Sequence, residues 1–265
     1  MRTLKFTTLF AAIAILFATT RSASAQGWGD IKGQVVWAGP SIPENPVLNI
    51  TGQDGPECLK KGPLIGDQLI IDKKTLGVKN VMVWLRPIQG RMPIHPALKA
   101  VPKDKVIIDQ PCCQFIPRIT MMREGQILVI KNPSKMLHNS KIDGNPQANG
   151  SKNPSIPAGA EYAFEGDDNL LKAEKKPMLL SCSVHGWMGG RVGVFDHPYF
   201  AVTKPDGTFE IKNAPAGKFA ILIQHEVPGW LHKQNRTNLS DGEEIAIPAG
   251  GTLDMGKIQM KPEGK

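Results

Sequence analysis

Four side chains of this sequence have the types and spacing of metal ligands. Cys182, His185 and Met188 follow one another closely, and His138 precedes them in the chain. Together they offer one thiolate, two imidazoles and one thioether, which are the donors of a trigonal His₂Cys copper site with a weak axial Met. Structural zinc sites prefer four strong nitrogen or sulfur ligands, so the thioether favours copper. Copper sites of this kind transfer single electrons.

Core packing is the alternative interpretation of the sulfur-bearing side chains. Cys and Met pack as soft hydrophobic groups, and either one alone in a β-sandwich is usually a core residue. Four donors in one order and spacing favour a metal site over packing. The methionines without this spacing are interpreted as packing residues: Met121, Met122, Met136 and Met178.

The elements that must position these donors are predicted to be strands. The chain has 27 Gly and 22 Pro, and its short apolar runs are bounded by turn residues, which indicates an all-β fold. A helix is conceivable only at residues 167–174. The predicted strands cover residues 31–37, 80–85, 126–131, 178–182, 190–195, 208–211 and 219–223.

Residues 115–195 resemble a cupredoxin of the plastocyanin and amicyanin branch. The resemblance lies in residues 124–132, in His138 with Asn139, and in the Cys-x-x-His-x-x-Met pattern of residues 182–188. It implies a Greek-key β-sandwich with Cys182, His185 and Met188 on the loop between the last two strands. It further implies that His138 is the buried ligand, that His185 lies near the surface, and that Asn139 hydrogen-bonds near the thiolate.

Two other stretches resemble the carboxypeptidase-regulatory-like (transthyretin-like) β-sandwich. They are residues 30–86 and 197–262, with a turn at Pro205-Asp206-Gly207 and a second Pro-x-Gly-x-Phe turn at residues 215–219. The predicted organisation is a signal peptide at 1–25, the first part of this sandwich at 26–99, a cupredoxin domain at 100–196 and the second part at 197–265. The alternative is three consecutive segments, with residues 30–100 an irregular extension.

The first residues have the pattern of a secretory signal. Arg2 and Lys5 precede an apolar stretch at residues 9–18, and Ala23-Ser24-Ala25 is a small-x-small cleavage site. The apolar stretch is too short to span a bilayer as a stable helix. We therefore expect cleavage after Ala25 and a periplasmic or secreted protein without stable membrane insertion. A retained membrane anchor is the alternative.

The four cysteines fit one metal ligand, one disulfide and one spare thiol. If Cys182 binds the metal, Cys58, Cys112 and Cys113 remain for pairing in an oxidising compartment. A Cys58–Cys113 bond is favoured, with Cys112 as the rival partner of Cys58.

A second metal site is conceivable near the C-terminal end of the chain. Its donors would be His225, Glu226 and His232. Related exported proteins with a cupredoxin-plus-sandwich layout often carry His where this chain has Arg118. An additional site that uses that position is therefore not expected here.

Several function classes lack their signals in this sequence. The formal net charge is +8, but no block of like charges appears, so nucleic acid is not an expected partner. No nucleophile-elbow motif and no His-x-His pairs of a multicopper oxidase are present, so the chain is not expected to be an enzyme.

The predicted function is that of an exported type 1 (blue) copper protein with one copper ion. It would carry one electron between periplasmic redox proteins. Two alternatives remain: a periplasmic copper-binding or trafficking protein without redox turnover, and a metal-free structural or carbohydrate-binding module.

Overall fold

The computed structural model describes residues 27–111, 113–231 and 242–262. These residues form strands, turns and loops, so the all-β prediction is confirmed. One α-helix of a single turn, α1, covers Gly55–Cys58, and one 3₁₀ turn covers Pro96–Leu98. The strands are β1 Trp28–Trp37, β2 Met82–Pro87, β3 Val106–Asp109, β4 Ile119–Arg123, β5 Leu128–Lys131, β6 His138–Asn139, β7 Lys141–Asp143, β8 Ser151–Lys152, β9 Ser155–Ile156, β10 Glu161–Phe164, β11 Met178–Ser181, β12 Gly189–Phe195, β13 Phe200–Val202, β14 Thr208–Pro215, β15 Gly217–His225, β16 Gly229–Trp230, β17 Glu243–Ile247 and β18 Thr252–Met260.

Strands from the two ends of the chain pair with one another in what we call the flanking region, β1, β2 and β13–β18. Strand β1 lies between β14, which is antiparallel to it, and β18, which is parallel. Strand β2 lies between β13 and β15, and β15 also pairs with β17. Their core side chains include Ile31, Val83 and Ile221, all fully buried. The chain therefore leaves this region after β2 and returns to it at β13.

The strands between them, β3–β12, form the central region. One sheet has the order β10-β5-β3, and a second has the order β4-β12-β11-β7-β8. Strands β6 and β9 make a separate two-stranded ribbon. Fully buried Ile108, Phe164 and Leu180 lie in a hydrophobic core distinct from that of the flanking region.

Strand β2 joins the two regions because both of its faces are buried. Val83 and Leu85 point into the flanking core. Met82 and Trp84, on the opposite face, pack with Ile119 of β4 in a third, smaller core. Successive side chains of a strand point to opposite faces, so the continuous apolar run of β2 suits a strand buried on both sides.

The turn predicted at Pro205-Asp206-Gly207 is confirmed, and it joins β13 to β14. The Gly207 amide donates to the carbonyl of Lys204 at 2.8 Å. Gly207 has a φ of +78°. Glycine adopts this left-handed conformation without steric cost, which explains its place in the turn.

Residues 43–69 form an irregular stretch between β1 and β2, which we call the cover segment. It includes helix α1 and a single bridge between Val47 and Ile65. Leu48 and Ile50 pack on the core of the central region, and Leu64 is buried in it. The cover segment therefore packs on the central region, although its neighbours in sequence belong to the flanking region.

Three further expectations concern a helix, membrane insertion and the signal peptide. Residues 167–170 form a turn, so the helix considered for residues 167–174 is absent. None of the helices in the described ranges is long and apolar enough to cross a membrane. The predicted signal peptide at residues 1–25 lies outside the described residues.

Candidate metal centre

Three of the predicted ligands converge in the central region. The Nδ1 atoms of His138 and His185 lie 2.9 Å apart, and the Cys182 Sγ lies 3.7 Å from the His185 Nδ1. The ligand atoms of all three residues lie within 4.8 Å of one another. All three side chains are buried. Within the part of the chain that the structure describes, this is the one such group of His, Cys, Asp or Glu side chains.

His138 is held by strand β6, whose partner β9 places it opposite Ile156. The turn before it is organised by Asn132, a fully buried residue at the end of the predicted strand motif. Its Nδ2 donates to the carbonyls of Met136 and Ile156, each at 2.8 Å. The sequence motif includes Asn132, but its role in tying the two sides of the ribbon was not anticipated.

The other donors lie on one tight loop between β11 and β12. These strands are antiparallel, with Ser181 opposite Gly189. The Met188 amide donates to the His185 carbonyl at 2.9 Å, and the Cys182 amide donates to the Met188 carbonyl at 3.3 Å. The Met188 side chain is buried in the same core as Cys182. These bonds fold the loop back on itself and keep its three donors close together.

Asn139 connects the strand of the first histidine to the cysteine loop. Its Oδ1 lies 3.2 Å from the Cys182 Sγ and accepts hydrogen bonds from the amides of Ser183 at 2.8 Å and Val184 at 3.2 Å. Its Nδ2 donates to the Ser183 Oγ and to the Asn153 Oδ1. Asn139 therefore occupies the place beside the sulfur that the cupredoxin resemblance implies for it.

His185 differs from the expectation that it lies near the surface, because only 2% of it is exposed. Its Nε2 lies 3.1 Å from the Asp54 Oδ2 of the cover segment. The ring of Trp187 packs against it, with the ring centres 5.2 Å apart. The cover segment thus closes the edge of the imidazole that was expected to face a partner.

His138 is kept neutral by its surroundings. Burial, and then the nearby His185, lower the pKa of His138 to about 4. Neutral imidazole is the form that binds a metal, so the ligand needs no deprotonation near neutral pH. Its Nε2 is buried and has no hydrogen-bond partner among the described residues. The Nε2 atoms point away from the other donors, and they differ between the two histidines. The Nε2 of His185 contacts a carboxylate, whereas the Nε2 of His138 has no partner among the described residues.

The donors present fit a copper ion. Both histidines turn Nδ1 toward the cluster, and the sulfur of Cys182 lies beside them in the same buried space. A thiolate is a soft ligand that copper accepts, and imidazole suits both Cu(I) and Cu(II). Copper would be held by these three residues, with the thioether of buried Met188 as the fourth donor by resemblance.

The cover segment is fastened to the central region by a disulfide. Cys58 of α1 is bonded to Cys113, the pairing that the sequence favours, with an S–S distance of 2.06 Å. The Met136 Sδ lies 3.8 Å from the Cys58 Sγ and 3.7 Å from the Cys113 Sγ. Cys112, the rival partner, lies outside the described residues.

The second metal site considered at the C-terminal end gains no support. His225 is buried, and its Nδ1 accepts a hydrogen bond from the amide of Val227. The Glu226 carboxylate is bonded to Arg118, whose Nε lies 2.5 Å away. A carboxylate already paired with a buried guanidinium is a poor metal ligand. The third donor of that prediction, His232, lies outside the described residues.

Comparison with solved structures finds cupredoxins over 34–42% of the chain. An oxidised amicyanin variant matches 34% of this chain and 81% of its own, with 16% identity and a TM-score of 0.29. A purple cupredoxin from Nitrosopumilus maritimus matches 34% of this chain and 98% of its own, with 17% identity and a TM-score of 0.27. A copper-containing nitrite reductase from Thermus scotoductus matches 39% of this chain and 25% of its own, with 18% identity and a TM-score of 0.30.

No protein-family model and no curated protein matches the chain. The solved structures resemble it only in part, so the geometry of the donor cluster carries the assignment of its chemistry.

Proposed function

We propose that this chain is a type 1 copper protein that carries single electrons between redox partners outside the cytoplasm. The observation that carries the proposal is the convergence of two Nδ1 atoms and one cysteine sulfur in a buried space. Residues 100–196 would be the copper-binding domain, closed by the cover segment, and the rest of residues 26–99 with residues 197–265 would be the sandwich that supports it. The secretory-signal pattern predicted for residues 1–25 is the basis for the location.

The ligands are suited to rapid electron transfer because the fold fixes them in advance. His138 is set by the β6–β9 ribbon, and Cys182 by the loop that Asn139 hydrogen-bonds. Bound copper supplies the one-electron redox chemistry. Side chains held by buried hydrogen bonds move little, so the site resists rearrangement between the two oxidation states.

A carrier fits the site better than an enzyme. Catalytic metal sites keep a position open for substrate or water. Here the donors His138, Cys182 and His185 are almost fully buried, and the cover segment closes the site on the His185 side. Burial of this kind supports electron exchange through the protein and leaves little room for a substrate.

Partners would approach beside the ligands. Leu137 precedes His138 in sequence and is 48% exposed, and Val184 lies within the ligand loop and is 49% exposed. Exposed apolar side chains near a redox centre suit the small, transient interfaces that electron-transfer complexes use. The electron would therefore pass near Leu137 or Val184, and not through an open edge of His185.

The test is a titration of the purified metal-free protein with Cu(II), followed by visible absorption and electron paramagnetic resonance. We expect one equivalent of copper to produce intense visible absorption from a thiolate-bound Cu(II), and a reducing agent to bleach it reversibly. Binding of copper without that absorption would favour copper trafficking. A failure to bind copper would leave a metal-free structural module.

A further inference from the structure

The cover segment supplies a carboxylate to one of the proposed copper ligands. The Asp54 Oδ2 lies 3.1 Å from the His185 Nε2, at a contact where the imidazole is almost fully buried. These residues are separated by 131 positions in sequence. The contact is therefore made by the fold and not by local chain geometry.

This carboxylate is not used as a helix cap, which is the common role of Asp at its position. Asp54 is the N-cap residue of α1, but its side chain makes no capping hydrogen bond. An Asp at an N-cap usually accepts from a backbone amide of the first helical turn. The carboxylate of Asp54 is directed to His185 instead.

The carboxylate is held in place by the helix and its disulfide. The amides of Glu57 and Cys58 both donate to the Asp54 carbonyl, at 3.2 and 3.1 Å. Cys58 is bonded to Cys113 of the central region. The backbone of Asp54 is therefore fastened, through a single helical turn and a covalent bond, to the region that holds the proposed ligands.

The other histidine has no equivalent support. The buried Nε2 of His138 has no partner among the described residues, whereas the Nε2 of His185 has a carboxylate. Ligand histidines that donate their second nitrogen to a carboxylate are fixed in tautomer and ring orientation, and they become stronger electron donors.

Resting on the proposed copper function, we propose that Asp54 is the positioning residue of His185. It accepts the hydrogen on Nε2, and so leaves Nδ1 unprotonated and directed at the metal. Its negative charge makes the imidazole a stronger donor, which stabilises Cu(II) more than Cu(I). Asp54 thereby lowers the reduction potential, and it excludes solvent from the edge of His185.

The test compares three substitutions in the full chain. Asp54→Ala removes the charge and the hydrogen bond, and Asp54→Asn removes the charge but keeps an acceptor of the same shape. Glu57→Gln is the matched control, because it neutralises a carboxylate of the same helix that pairs with Lys60 at 3.6 Å and not with a ligand. Urea unfolding shows that each variant is folded before its copper site is measured.

The expected result is a graded change at the copper site. Loss of such a partner weakens metal binding by about 10- to 100-fold, so Asp54→Ala should weaken Cu(II) binding within that range. A tenfold larger loss for Cu(II) than for Cu(I) raises the one-electron potential by about 59 mV. Asp54→Asn should lie between Asp54→Ala and the wild type, and Glu57→Gln should match the wild type.

Two outcomes would overturn the proposal. One is an unchanged potential and Cu(II) affinity in a folded Asp54→Ala variant. The other is an equal shift in Glu57→Gln, which would assign the effect to remote charge.

Nuclear magnetic resonance of the metal-free protein supplies a readout without copper: the His185 Nε2 hydrogen should exchange slowly with solvent in the wild type and rapidly in Asp54→Ala. If that signal behaves as expected but wild-type protein forms no thiolate–Cu(II) absorption, the copper function fails while the contact stands.

Discussion

The flanking and central regions of this molecule are built on different plans. The longest strands of the molecule lie in the flanking region: β1 has 10 residues, and β15 and β18 have 9 each, although β13 and β16 are short. In the central region, β6, β8 and β9 have only 2 residues each. Long strands pair over many residues and bury a continuous apolar core, whereas short strands leave loops that place polar side chains in the interior. The contrast separates a supporting scaffold from a site, since functional residues concentrate on loops that a rigid frame positions.

The sharpest way to test this contrast is to remove the sulfur of Cys182, the proposed thiolate ligand. We expect Cys182→Ser to abolish the visible absorption of the copper-loaded protein completely, because a hydroxyl cannot replace a thiolate as a copper ligand. Urea unfolding should change little, since Ser is close in size to Cys. Absorption and unfolding are measured on the same samples.

Substitutions of two methionines of the central region serve as controls for Cys182→Ser. Met178→Leu changes a buried methionine of β11 without the ligand spacing, and it should leave the absorption intact. Met188→Gln should keep copper and the absorption but shift the reduction potential, because the axial ligand tunes it. Retained thiolate absorption in Cys182→Ser would contradict the assignment of the sulfur.

The next largest effect is expected from the disulfide, which ties the cover segment to the central region. Cys58→Ala with Cys113→Ala opens a loop of 55 residues, which should lower the free energy of unfolding by about 4 kcal/mol. Copper affinity should also fall, because the backbone that carries Asp54 is released. Urea unfolding and a copper competition assay measure the two effects. Normal stability with normal affinity would show that the remaining contacts of the cover segment suffice.

The smallest expected effect is a loss of stability at low pH that arises in the flanking region, at His225. Burial, and then the charge of Arg118, lower the pKa of His225 from 6.5 to about 4. A histidine with a lowered pKa in the folded state stabilises the fold above pH 6.5, and this stability is lost as the pH falls toward 4. Between pH 6.5 and 4 the wild type should lose unfolding free energy on the order of 3 kcal/mol through this histidine. We expect His225→Asn, which keeps an acceptor for the Val227 amide, not to show this loss. Unfolding by urea as a function of pH measures it, and parallel curves for the variant and the wild type would exclude His225 as the source.

Much of the strand pattern could be predicted from sequence because its signals are local. The apolar runs became β1, β2, β5, β11, β12, β14 and β15, and the turn at Pro205-Asp206-Gly207 lies where expected. The spacing of Cys182, His185 and Met188 identified one loop, since a tight loop keeps donors near one another. Residues 167–174 are too short and too polar a stretch to form a helix without a partner, and a turn at residues 167–170 replaces it.

The contact between Asp54 and His185 could not be predicted in the same way. The cover segment has no periodic pattern, and its position depends on Leu48, Leu64 and the disulfide packing on a distant core. One signal did point to it. The favoured Cys58–Cys113 pairing brings the neighbours of Cys58, Asp54 among them, to the central region.

The route of the chain through the cover segment makes the proposed copper site dependent on residues outside the central region. Residues 100–196, cut out and produced alone, would keep His138, Cys182, His185 and Met188 but lose both Asp54 and the covalent partner of Cys113. Water would then reach an imidazole that the whole protein shields. Grafting residues 100–196 onto another protein would accordingly transfer the proposed ligands but not the contacts that shield His185.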